Sequence, residues 1–363
     1  MRNFLLYILL ALCAANSETL YLSAKGCSNA QSILVPSERL ERAKAEAQRQ
    51  IDAGIIQGAV FAATGIPPTA IGNQRVHPEK KKMTVNSRFD IASVGKTFTA
   101  SLCALLVCDG KISPDDRFVK YLPESALGMD CDIAVRDLAM HAGGFDNNKP
   151  YNSKDMKIFH RELFSMRPVR PRLSAFEYSC ANFILLGKII NNVTGEDLDS
   201  FARRRIWEPL GMKRTQWNPP GDGPDEVEHW FPNRPPGQHN DTVCFNCPFP
   251  IGNGSCFSTV QDLMLFLNDL LERKTFPKEY YDLLFSPGFD KGGHRRSFGW
   301  DMSAWSRPEG LSEKTILHSG WTGQTVCVDP ENKFVAVVLT SRTGDHEKAR
   351  QGRAKIISAM FGK

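Results

Sequence analysis

Ser93 and Lys96 are the two residues of this 363-residue chain whose types and spacing most directly suggest chemistry. They stand three positions apart at the start of an apolar stretch, 93–109, that predicts a buried helix, so both side chains would lie on one face. A serine hydroxyl is a weak nucleophile near neutral pH, but an amine kept neutral by burial and nearby positive charge can take its proton. The helix N-terminus would also favour a developing oxyanion. The spacing predicts a serine nucleophile with a lysine base; the alternative is a capping serine beside a lysine that extends to solvent.

Three segments of the chain, in order, resemble the active-site motifs of the serine β-lactamase and penicillin-binding protein superfamily, in particular its class C β-lactamase branch. They are Phe89–Phe98, which contains Ser93 and Lys96, Tyr178–Gly187 and His318–Gly323. Further similar stretches lie at 134–144, 207–212 and 252–259, so the resemblance covers about residues 37–361. This family includes D,D-carboxypeptidases and esterases, and the resemblance is therefore specific for the family but not for a substrate.

The resemblance implies a catalytic role for Tyr178. A phenol beside a lysine ammonium has its anionic form favoured, so Tyr178 would share a proton with Lys96. It would pass a proton to the leaving group and later activate the water that removes the acyl group. Without the motif, a tyrosine between a loop and a helix would be interpreted as a half-buried packing residue.

The third motif implies that His318 is catalytic and that Ser319 and Gly320 bind substrate along a strand beside the cleft. β-Lactamases of this branch usually carry Lys at the position of His318, whereas some D,D-peptidases and esterases carry His. A neutral His gives a substrate carboxylate less electrostatic help than Lys would; the alternative is a histidine satisfied within its strand. The N–H of Trp321 would join that of Ser93 in an oxyanion hole, with the indole as a cleft wall.

Cys180 departs from the family pattern, because this position is often an Asn whose amide holds the acylamino side chain of the substrate. A thiol is a weak hydrogen-bond donor and acceptor, so Cys180 would be a poor substrate-binding group for a peptide or a β-lactam. This difference favours ester substrates. A nucleophilic role for Cys180 itself is disfavoured, because Ser93 already has a base.

The elements that must position these residues predict an α+β fold. Strand-like runs occur at 58–64, 69–72, 88–91, 298–302, 314–318, 325–328 and 334–340, and helical runs at 37–54, 93–109, 133–141, 181–193, 198–209, 259–271 and 347–360. Pro67-Pro68 and the lysine-rich 79–82 are expected as turns, the second at an exposed hairpin tip. Strands at both chain ends predict one antiparallel sheet flanked by helices, with an inserted helical part.

We expect this chain to divide into two domains, with the active site between them. The sheet domain would comprise residues 37–92 and 253–363, and the mainly helical domain residues 93–252. The second ends in a long stretch, 218–252, rich in proline and glycine, of the kind that often borders a binding cleft.

The first residues predict export. Residues 1–15 have a basic start, a short apolar run and small residues, which is typical of a secretory signal peptide, and residues 16–36 would follow as an extension. We therefore expect a secreted or periplasmic protein; lipidation at Cys13 is the less favoured alternative because Leu12 is large for that cleavage. The run is too short to span a bilayer, and no later segment is long enough.

Nine cysteines follow Cys13, an odd number in a compartment where disulfides can form, so at least one thiol should stay free. Cys244 and Cys247 have a spacing seen in zinc and redox sites, but a disulfide or plain burial is the better interpretation because no second such pair follows. His239 and Asp241 are expected to order their loop rather than bind a metal. We expect neither a metal nor an organic cofactor.

Composition excludes several classes of protein. With 42% hydrophobic and 23% charged residues the chain is neither disordered nor fibrous. Its net charge of +5 is spread along the sequence, which gives no nucleic-acid footprint. The nucleophile elbow Gly-x-Ser-x-Gly is missing. We therefore expect a monomeric, exported serine hydrolase that forms an acyl-enzyme on small esters or amides. The alternatives are a D,D-carboxypeptidase or β-lactamase, and a catalytically silent relative that binds a ligand.

Overall fold

The sheet is built from both ends of the chain, as the sequence predicts. The structure is a computed structural model that describes residues 35–77, 79–128, 131–228 and 234–363. Its strands are β1 (Ile56–Ala63), β2 (Ile66–Arg75), β3 (Lys81–Lys82), β4 (Phe89–Asp90), β5 (Phe257–Ser258), β6 (Phe289–Lys291), β7 (His294–Ser297), β8 (Trp300–Asp301), β9 (Ile316–Gly320), β10 (Gln324–Asp329) and β11 (Phe334–Arg342). Nine of them pair in the antiparallel order β3-β2-β1-β11-β10-β9-β8-β7-β6, and β4 pairs with β5 separately.

Helices cover the sheet and fill the middle of the chain. They are α1 (Pro36–Asp52), α2 (Lys96–Cys108), α3 (Val135–Ala139), α4 (Met156–Phe164), α5 (Cys180–Thr194), α6 (Leu198–Ala202), α7 (Glu208–Leu210), α8 (Thr242–Asn246), α9 (Val260–Glu272), α10 (Lys278–Phe285) and α11 (His346–Phe361). A π-helical turn, Arg203–Trp207, joins α6 to α7. Among the described residues, no helix is long and apolar enough to cross a membrane.

The central strands are buried on both faces, which explains their continuous apolar sequences. Along β11, Val335 and Val337 belong to one core cluster and Ala336 and Val338 to the other, because successive side chains point to opposite faces. Helices α1 and α11 pack on the second face, and α9 packs on the first. The sheet is therefore a rigid layer between two cores, and β9 presents its polar residues beside the cleft.

Helix α2 is apolar on nearly every side because it lies inside the molecule. Its first eleven residues, 96–106, are all buried. The ring of Phe98 packs edge-on against Trp207 and Trp217, with centroids 5.9 and 6.3 Å away, and lies 4.9 Å from the ring of Phe266. This packing fixes the helix whose N-terminal end carries Lys96.

Two predicted turns were wrong. Pro67-Pro68 lies within β2, where both residues are exposed next to the tight turn at Thr64-Gly65. A proline near a strand end needs no ladder donor, so the pair is tolerated there. Lys81 and Lys82 form the edge strand β3 rather than a hairpin tip. Charged side chains on a short edge protect it from pairing with another sheet.

Several elements were missed because their residues are polar. Strands β6 and β7 contain charged residues at the sheet edge, and β8 is shorter than the predicted run 298–302. Helix α4 carries a start signal that could have been found, since Asp155 accepts hydrogen bonds from the N–H groups of Lys157 and Ile158. The signal peptide, Cys13, Cys27 and all but the end of the 16–36 extension lie outside the described residues.

Candidate active site

Ser93 lies on a single 3₁₀ turn, Ala92–Gly95, that leads directly into α2. Ala92 has φ 46°, a left-handed conformation that is strained for a residue with a Cβ atom. The neighbouring chain holds this turn, because the N–H of Ser255 donates to the carbonyl oxygen of Ala92 at 2.9 Å. Gly254 makes the approach possible, since a Cβ there would lie 2.5 Å from the same oxygen. The surrounding structure thus fixes a strained turn that places Ser93 at the wall of a cavity.

The structure brings Ser93, Lys96 and Tyr178 together. The hydroxyl of Tyr178 donates to Ser93 Oγ at 2.7 Å, and Lys96 Nζ donates to the same oxygen at 3.1 Å. Lys96 Nζ also donates to the carbonyl oxygen of Asn253 and lies 5.1 Å from the centroid of the Tyr178 ring. Lys96 is completely buried, whereas Ser93 and Tyr178 are half-buried and line the cavity. The serine oxygen is therefore the point where both proton-carrying groups meet.

The surroundings of Lys96 shift its pKa in the direction opposite to the one that a neutral amine requires. Burial lowers the pKa of Lys96, but the negative charges that Cys180 and Tyr178 can carry outweigh burial and raise this pKa. These two groups therefore favour the ammonium form of Lys96 when they are ionised. An ammonium cannot accept a proton, and Tyr178 is the other proton-carrying group in contact with Ser93 Oγ.

His141 supports Tyr178 from behind. The two rings are tilted by 34° with their centroids 4.5 Å apart. Nδ1 of His141 accepts hydrogen bonds from the N–H of Ser179 and from Nδ2 of Asn182, each at 3.2 Å. Burial, with the nearby charge of Arg296, holds the pKa of His141 well below its usual range. A neutral, hydrogen-bonded imidazole thus keeps the phenol ring in place at the start of α5.

His318 lies on β9 and is buried beside the cavity. Its Nδ1 lies 3.1 Å from the carbonyl oxygen of Ser319, which assigns the proton to Nδ1. Burial and the charges of Arg296 and Lys96 hold the pKa of His318 well below its usual range, so the ring is neutral at pH 7. Nε2 of His318 has no hydrogen-bond partner among the described residues.

Gly320 lets the end of β9 approach the Ala92–Gly95 turn. A Cβ atom at this position would lie 2.6 Å from the carbonyl oxygen of Ile91, two residues before Ser93. Trp321 follows immediately, and its indole is 52% exposed and stacks on His346 at 4.5 Å. The indole borders the cavity as expected, and the strand end lies against the turn where the resemblance places the second oxyanion donor.

Cys180 begins α5 and lines the cavity beside the lysine. Its Sγ lies 3.8 Å from Lys96 Nζ, and its N–H donates to Oδ1 of Asn147 at 3.0 Å. The thiol thus lies where the cavity wall meets Lys96. This arrangement leaves room in the cavity but offers a substrate amide only a weak partner.

The cavity in front of Ser93 has a volume of about 720 Å³, which suits a small organic molecule. Sequence reasoning missed several of its wall residues because they belong to no motif; these are Asn147, Lys149, Arg296, Asp301, Trp305 and Arg350. Lys149 Nζ is 2.9 Å from Oδ2 of Asp241, and Asp241 also caps α8 through the N–H groups of Val243 and Cys244. Asp241 therefore orders its loop, as the sequence analysis expects.

Asp90 links the Ala92–Gly95 turn to the loop that contains Asn240 and Asp241. One of its carboxyl oxygens accepts from the N–H of Ala92 at 2.9 Å, and the other accepts from the N–H of Asn240 at 2.7 Å. Burial nevertheless raises the pKa of Asp90 to about 7. The protonation state of this carboxyl is therefore coupled to the geometry around Ser93.

The eight cysteines within the described residues are all free, and six of them are buried. Cys244 Sγ donates to Oδ1 of Asn253 at 3.0 Å, and Cys247 is buried close by in the same core cluster. Plain burial is therefore the correct interpretation of this pair. Within the described ranges, no group of three or more His, Cys, Asp or Glu side chains is arranged to hold a metal ion.

The fold and the site together define a class of protein, and comparison with known proteins identifies it. A family model described as "Beta-lactamase" matches residues 56–360. The chain therefore belongs to the β-lactamase family and is a hydrolase of that family. All three motifs found in the sequence fall within the matched residues.

Individual relatives cover most of the chain. A protein of Escherichia coli (strain K12) named "Putative D-alanyl-D-alanine carboxypeptidase" is 27% identical in an alignment of length 308 that covers 72% of this chain and 70% of that protein. Among solved structures, a class C β-lactamase aligns with a TM-score of 0.77 and 18% identity over 92% of this chain and 99% of that chain. EstCE1, a hydrolase with promiscuous acyltransferase activity, aligns with a TM-score of 0.75 and 20% identity over 90% and 99%. These structures share the fold predicted here.

Proposed function

We propose that this protein is a serine hydrolase that forms an acyl-enzyme on small ester or amide substrates, with Ser93 as the nucleophile. The observation that carries the proposal is the position of Ser93 Oγ, which lies 2.7 Å from the Tyr178 hydroxyl and 3.1 Å from Lys96 Nζ at the wall of the cavity. A nucleophile in contact with a base, and a base in contact with a charged partner, is the arrangement that covalent catalysis requires. The reaction requires no metal or organic cofactor.

Acylation uses Tyr178 as the general base. In the proposed step, the cationic form of Lys96 stabilises the phenolate of Tyr178, which takes the proton of Ser93 as Oγ attacks the substrate carbonyl carbon. The N–H groups of Ser93 and Trp321 hold the negative oxygen of the tetrahedral intermediate. When the carbonyl–leaving group bond breaks, Tyr178 gives its proton to the departing alcohol or amine.

Deacylation repeats these steps with water. The phenolate of Tyr178 takes a proton from a water molecule that attacks the acyl carbon, and the proton then returns to Ser93 Oγ as the acid product leaves. His318 and Ser319 line the same cavity as Ser93. The neutral ring of His318 therefore acts by shape and hydrogen bonding rather than by charge.

The wall of the cavity in front of Ser93 favours ester substrates. Cys180 stands where an amide would hold an acylamino group, and its thiol offers only weak hydrogen bonds. An ester also has a better leaving group than a peptide, so it depends less on exact placement. The likeness to EstCE1, a hydrolase with acyltransferase activity, is in keeping with this preference.

D,D-Carboxypeptidase or β-lactamase activity is the second candidate. The relative from Escherichia coli carries a D-alanyl-D-alanine carboxypeptidase name and is the more similar in sequence, at 27% identity. Penicillin G separates the candidates: a persistent adduct on Ser93 with little ester turnover favours the peptidase. Fast ester turnover with intact drug and no adduct favours the esterase.

The third candidate, a silent relative that only binds ligands, is tested by covalent labelling. A fluorophosphonate probe should label the folded protein, and Ser93→Ala should abolish the label. Ser101→Ala is the matched control, because Ser101 lies on α2 and contacts Tyr280 instead of the cavity, so it should leave labelling unchanged. Absence of labelling by the probe and by fluorescent penicillin in folded wild-type protein would contradict the hydrolase.

We also propose that the protein is exported through its N-terminal signal peptide. We expect cleavage near Ala15, which N-terminal sequencing of the mature protein would detect. A mature protein that retains residues 1–15 would contradict export by this route.

A further inference from the structure

Arg353 is a completely buried cation that the proposed reaction does not use. It lies on α11, the helix that packs on the second face of the sheet. Its Nε donates to Oγ1 of Thr325 at 2.9 Å, whereas Nη1 and Nη2 have no hydrogen-bond partner among the described residues. Burial of a guanidinium with so few hydrogen bonds costs folding free energy. The stability of the fold therefore does not explain why a cation lies there.

Thr325 connects Arg353 to the cavity in front of Ser93. It lies on β10 directly opposite Ser319 on β9, and the hydroxyl oxygens of these two residues are 3.2 Å apart. Thr325 is buried, whereas Ser319 is partly exposed and lines the cavity. Arg353 itself does not line the cavity. A path of hydrogen bonds thus runs from the buried cation through one hydroxyl group to a second one at the cavity wall.

The chemistry of the three groups sets the direction of this path. A guanidinium N–H can only donate, so Oγ1 of Thr325 accepts from Arg353. The hydroxyl proton of Thr325 can then be donated to Oγ of Ser319, which is the acceptor that the described residues offer it. The opposite direction would leave this buried proton without an acceptor, which is costly. Ser319 Oγ therefore accepts from within the protein, and its own proton is left for the cavity.

The positive charge strengthens Ser319 as a donor. Hydrogen bonds that follow one another polarise each other in a protein interior, so a cation at the start of the path makes the last hydroxyl group a better donor. An isolated serine hydroxyl can turn between donating and accepting. A hydroxyl group held as a donor favours a substrate atom that accepts, such as an ether or carbonyl oxygen, over an apolar group at the same place.

We propose that Arg353, acting through Thr325, is a positioning residue that holds the Ser319 hydroxyl as a donor to an acceptor oxygen of the substrate. This inference rests on the proposed acyl-enzyme reaction, because that reaction brings the substrate into the cavity. It gives the second face of the sheet a part in substrate selection. Neither Arg353 nor Thr325 belongs to the three motifs.

Two pairs of esters with matched shapes test the proposal. p-Nitrophenyl methoxyacetate carries an ether oxygen where p-nitrophenyl butyrate has a methylene in the acyl group. 3-Methoxyphenyl acetate and 3-ethylphenyl acetate differ in the same way in the leaving group. For at least one pair, the kcat/KM ratio of ether to methylene ester should fall about fivefold in Ser319→Ala, the value of one hydrogen bond. Thr325→Val and Arg353→Met should lower the same ratio at least about twofold.

Three further variants separate this role from a structural one. Thr325→Ser keeps the hydroxyl group and should keep the ratio. Thr315→Val makes the same change at another buried threonine, which directly precedes β9 and does not line the cavity, so both rates should stay unchanged. The double variant Ser319→Ala/Arg353→Met should have the ratio of Ser319→Ala alone, because Arg353 acts through that hydroxyl group.

Three results would overturn the proposal. Unchanged ratios for both pairs in Ser319→Ala would show that its hydroxyl recognises no acceptor. A normal ratio in Thr325→Val would exclude the path, and this variant also covers an Arg353→Met protein that fails to fold. A ratio that Arg353→Met lowers equally with and without Ser319→Ala would show that Arg353 acts elsewhere. Failure of the acyl-enzyme reaction itself is distinct, because Ser93→Ala would then hydrolyse p-nitrophenyl butyrate at the wild-type rate.

Discussion

In the proposed mechanism, Lys96 and Tyr178 divide the tasks that a single base performs in other serine hydrolases. The negative charges that Cys180 and Tyr178 can carry raise the pKa of Lys96, and the 2.7 Å contact makes Tyr178 the proposed partner for proton exchange with Ser93. A buried ammonium is costly unless it faces negative charge or several acceptors. The position of Lys96 beside the phenol of Tyr178 therefore offsets the cost of burying its charge, a cost that a solvent-exposed lysine does not have.

Replacement of Tyr178 by Phe should remove proton transfer while the fold is kept. We expect kcat/KM for a p-nitrophenyl ester to fall by about 10² to 10⁴, the usual contribution of a general base. The Phe ring can still pack on His141, so the thermal unfolding midpoint should change little. Steady-state rates and a thermal melt check both points, and near-normal rates would exclude Tyr178 as the base.

Cys180 should control the choice between esters and amides. Cys180→Asn adds a carboxamide to the wall 3.8 Å from the lysine nitrogen, so acylation by penicillin G should rise relative to ester hydrolysis by about tenfold, the value of one good hydrogen bond. Cys180→Ser is the control, since it changes polarity without adding reach. A ratio of acylation rates that is the same in all three proteins would refute this role.

At the scale of elements, the site depends on close approaches between loop 252–255, the Ala92–Gly95 turn and the end of β9. Gly254 and Gly320 each bring a backbone within a distance that a Cβ would fill. No helix or strand propensity encodes such contacts, because they join segments more than 150 residues apart. Because Gly254 and Gly320 lack a Cβ atom, the backbone segments around Ser93 can approach closely and hold it in place.

Gly254→Ala should be far more harmful than Gly110→Ala. Both changes strain the backbone, but only the Cβ at position 254 would also clash with a neighbouring atom. Gly254 has φ 132° and its new Cβ would lie 2.5 Å from the carbonyl oxygen of Ala92, whereas Gly110 has φ 67° and open space. We expect Gly110→Ala to cost about 1–2 kcal/mol in the free energy of unfolding with activity retained. Gly254→Ala should also lose ester hydrolysis. Denaturant unfolding and rates check this, and equal activities would show that the approach is unimportant.

Asp90 should make stability fall as pH rises. The ordinary pKa of 3.8 applies in the unfolded chain, and burial raises the pKa to about 7 in the folded protein, which therefore holds the proton longer. The contribution of Asp90 to the free energy of unfolding is fully present below pH 4 and is lost between pH 4 and 7. The unfolding free energy of the wild type, relative to Asp90→Asn, should fall by up to about 1.4 kcal/mol per pH unit there.

Asp329→Asn is the control for this pH dependence. Burial acts on Asp329 as well, but hydrogen bonds from Ser312 and Asn332 outweigh it and lower the pKa of Asp329. The contribution of Asp329 to the free energy of unfolding is therefore lost only as pH falls below its ordinary pKa of 3.8. Asp329→Asn should leave the slope of the unfolding free energy between pH 4 and 7 unchanged. Parallel slopes for the wild type and Asp90→Asn would contradict the assignment to Asp90.

At the scale of the whole molecule, the sequence was most informative where chemistry requires fixed residue types. That Ser93 and Lys96 lie together could be predicted from their spacing. The strands at both chain ends could also be predicted, and the β-lactamase fold confirms this architecture. The direction of the Lys96 pKa shift could not be predicted, because it depends on Tyr178, Cys180 and Asp241, which are distant from Lys96 in the sequence. Arg296 lies on a polar strand without a hydrophobic pattern, so neither its element nor its place in the cavity was visible in the sequence.

We predict that Ser93 carries the acyl group during turnover. Rapid acid quench during hydrolysis of a short-chain p-nitrophenyl ester, followed by intact-protein and peptide mass spectrometry, tests it most directly. We predict one added acyl group on the peptide that contains Ser93, and none in folded Ser93→Ala, which should also have lost turnover. Ester turnover that persists in Ser93→Ala, or an acyl group found on Cys180 instead, would contradict the account.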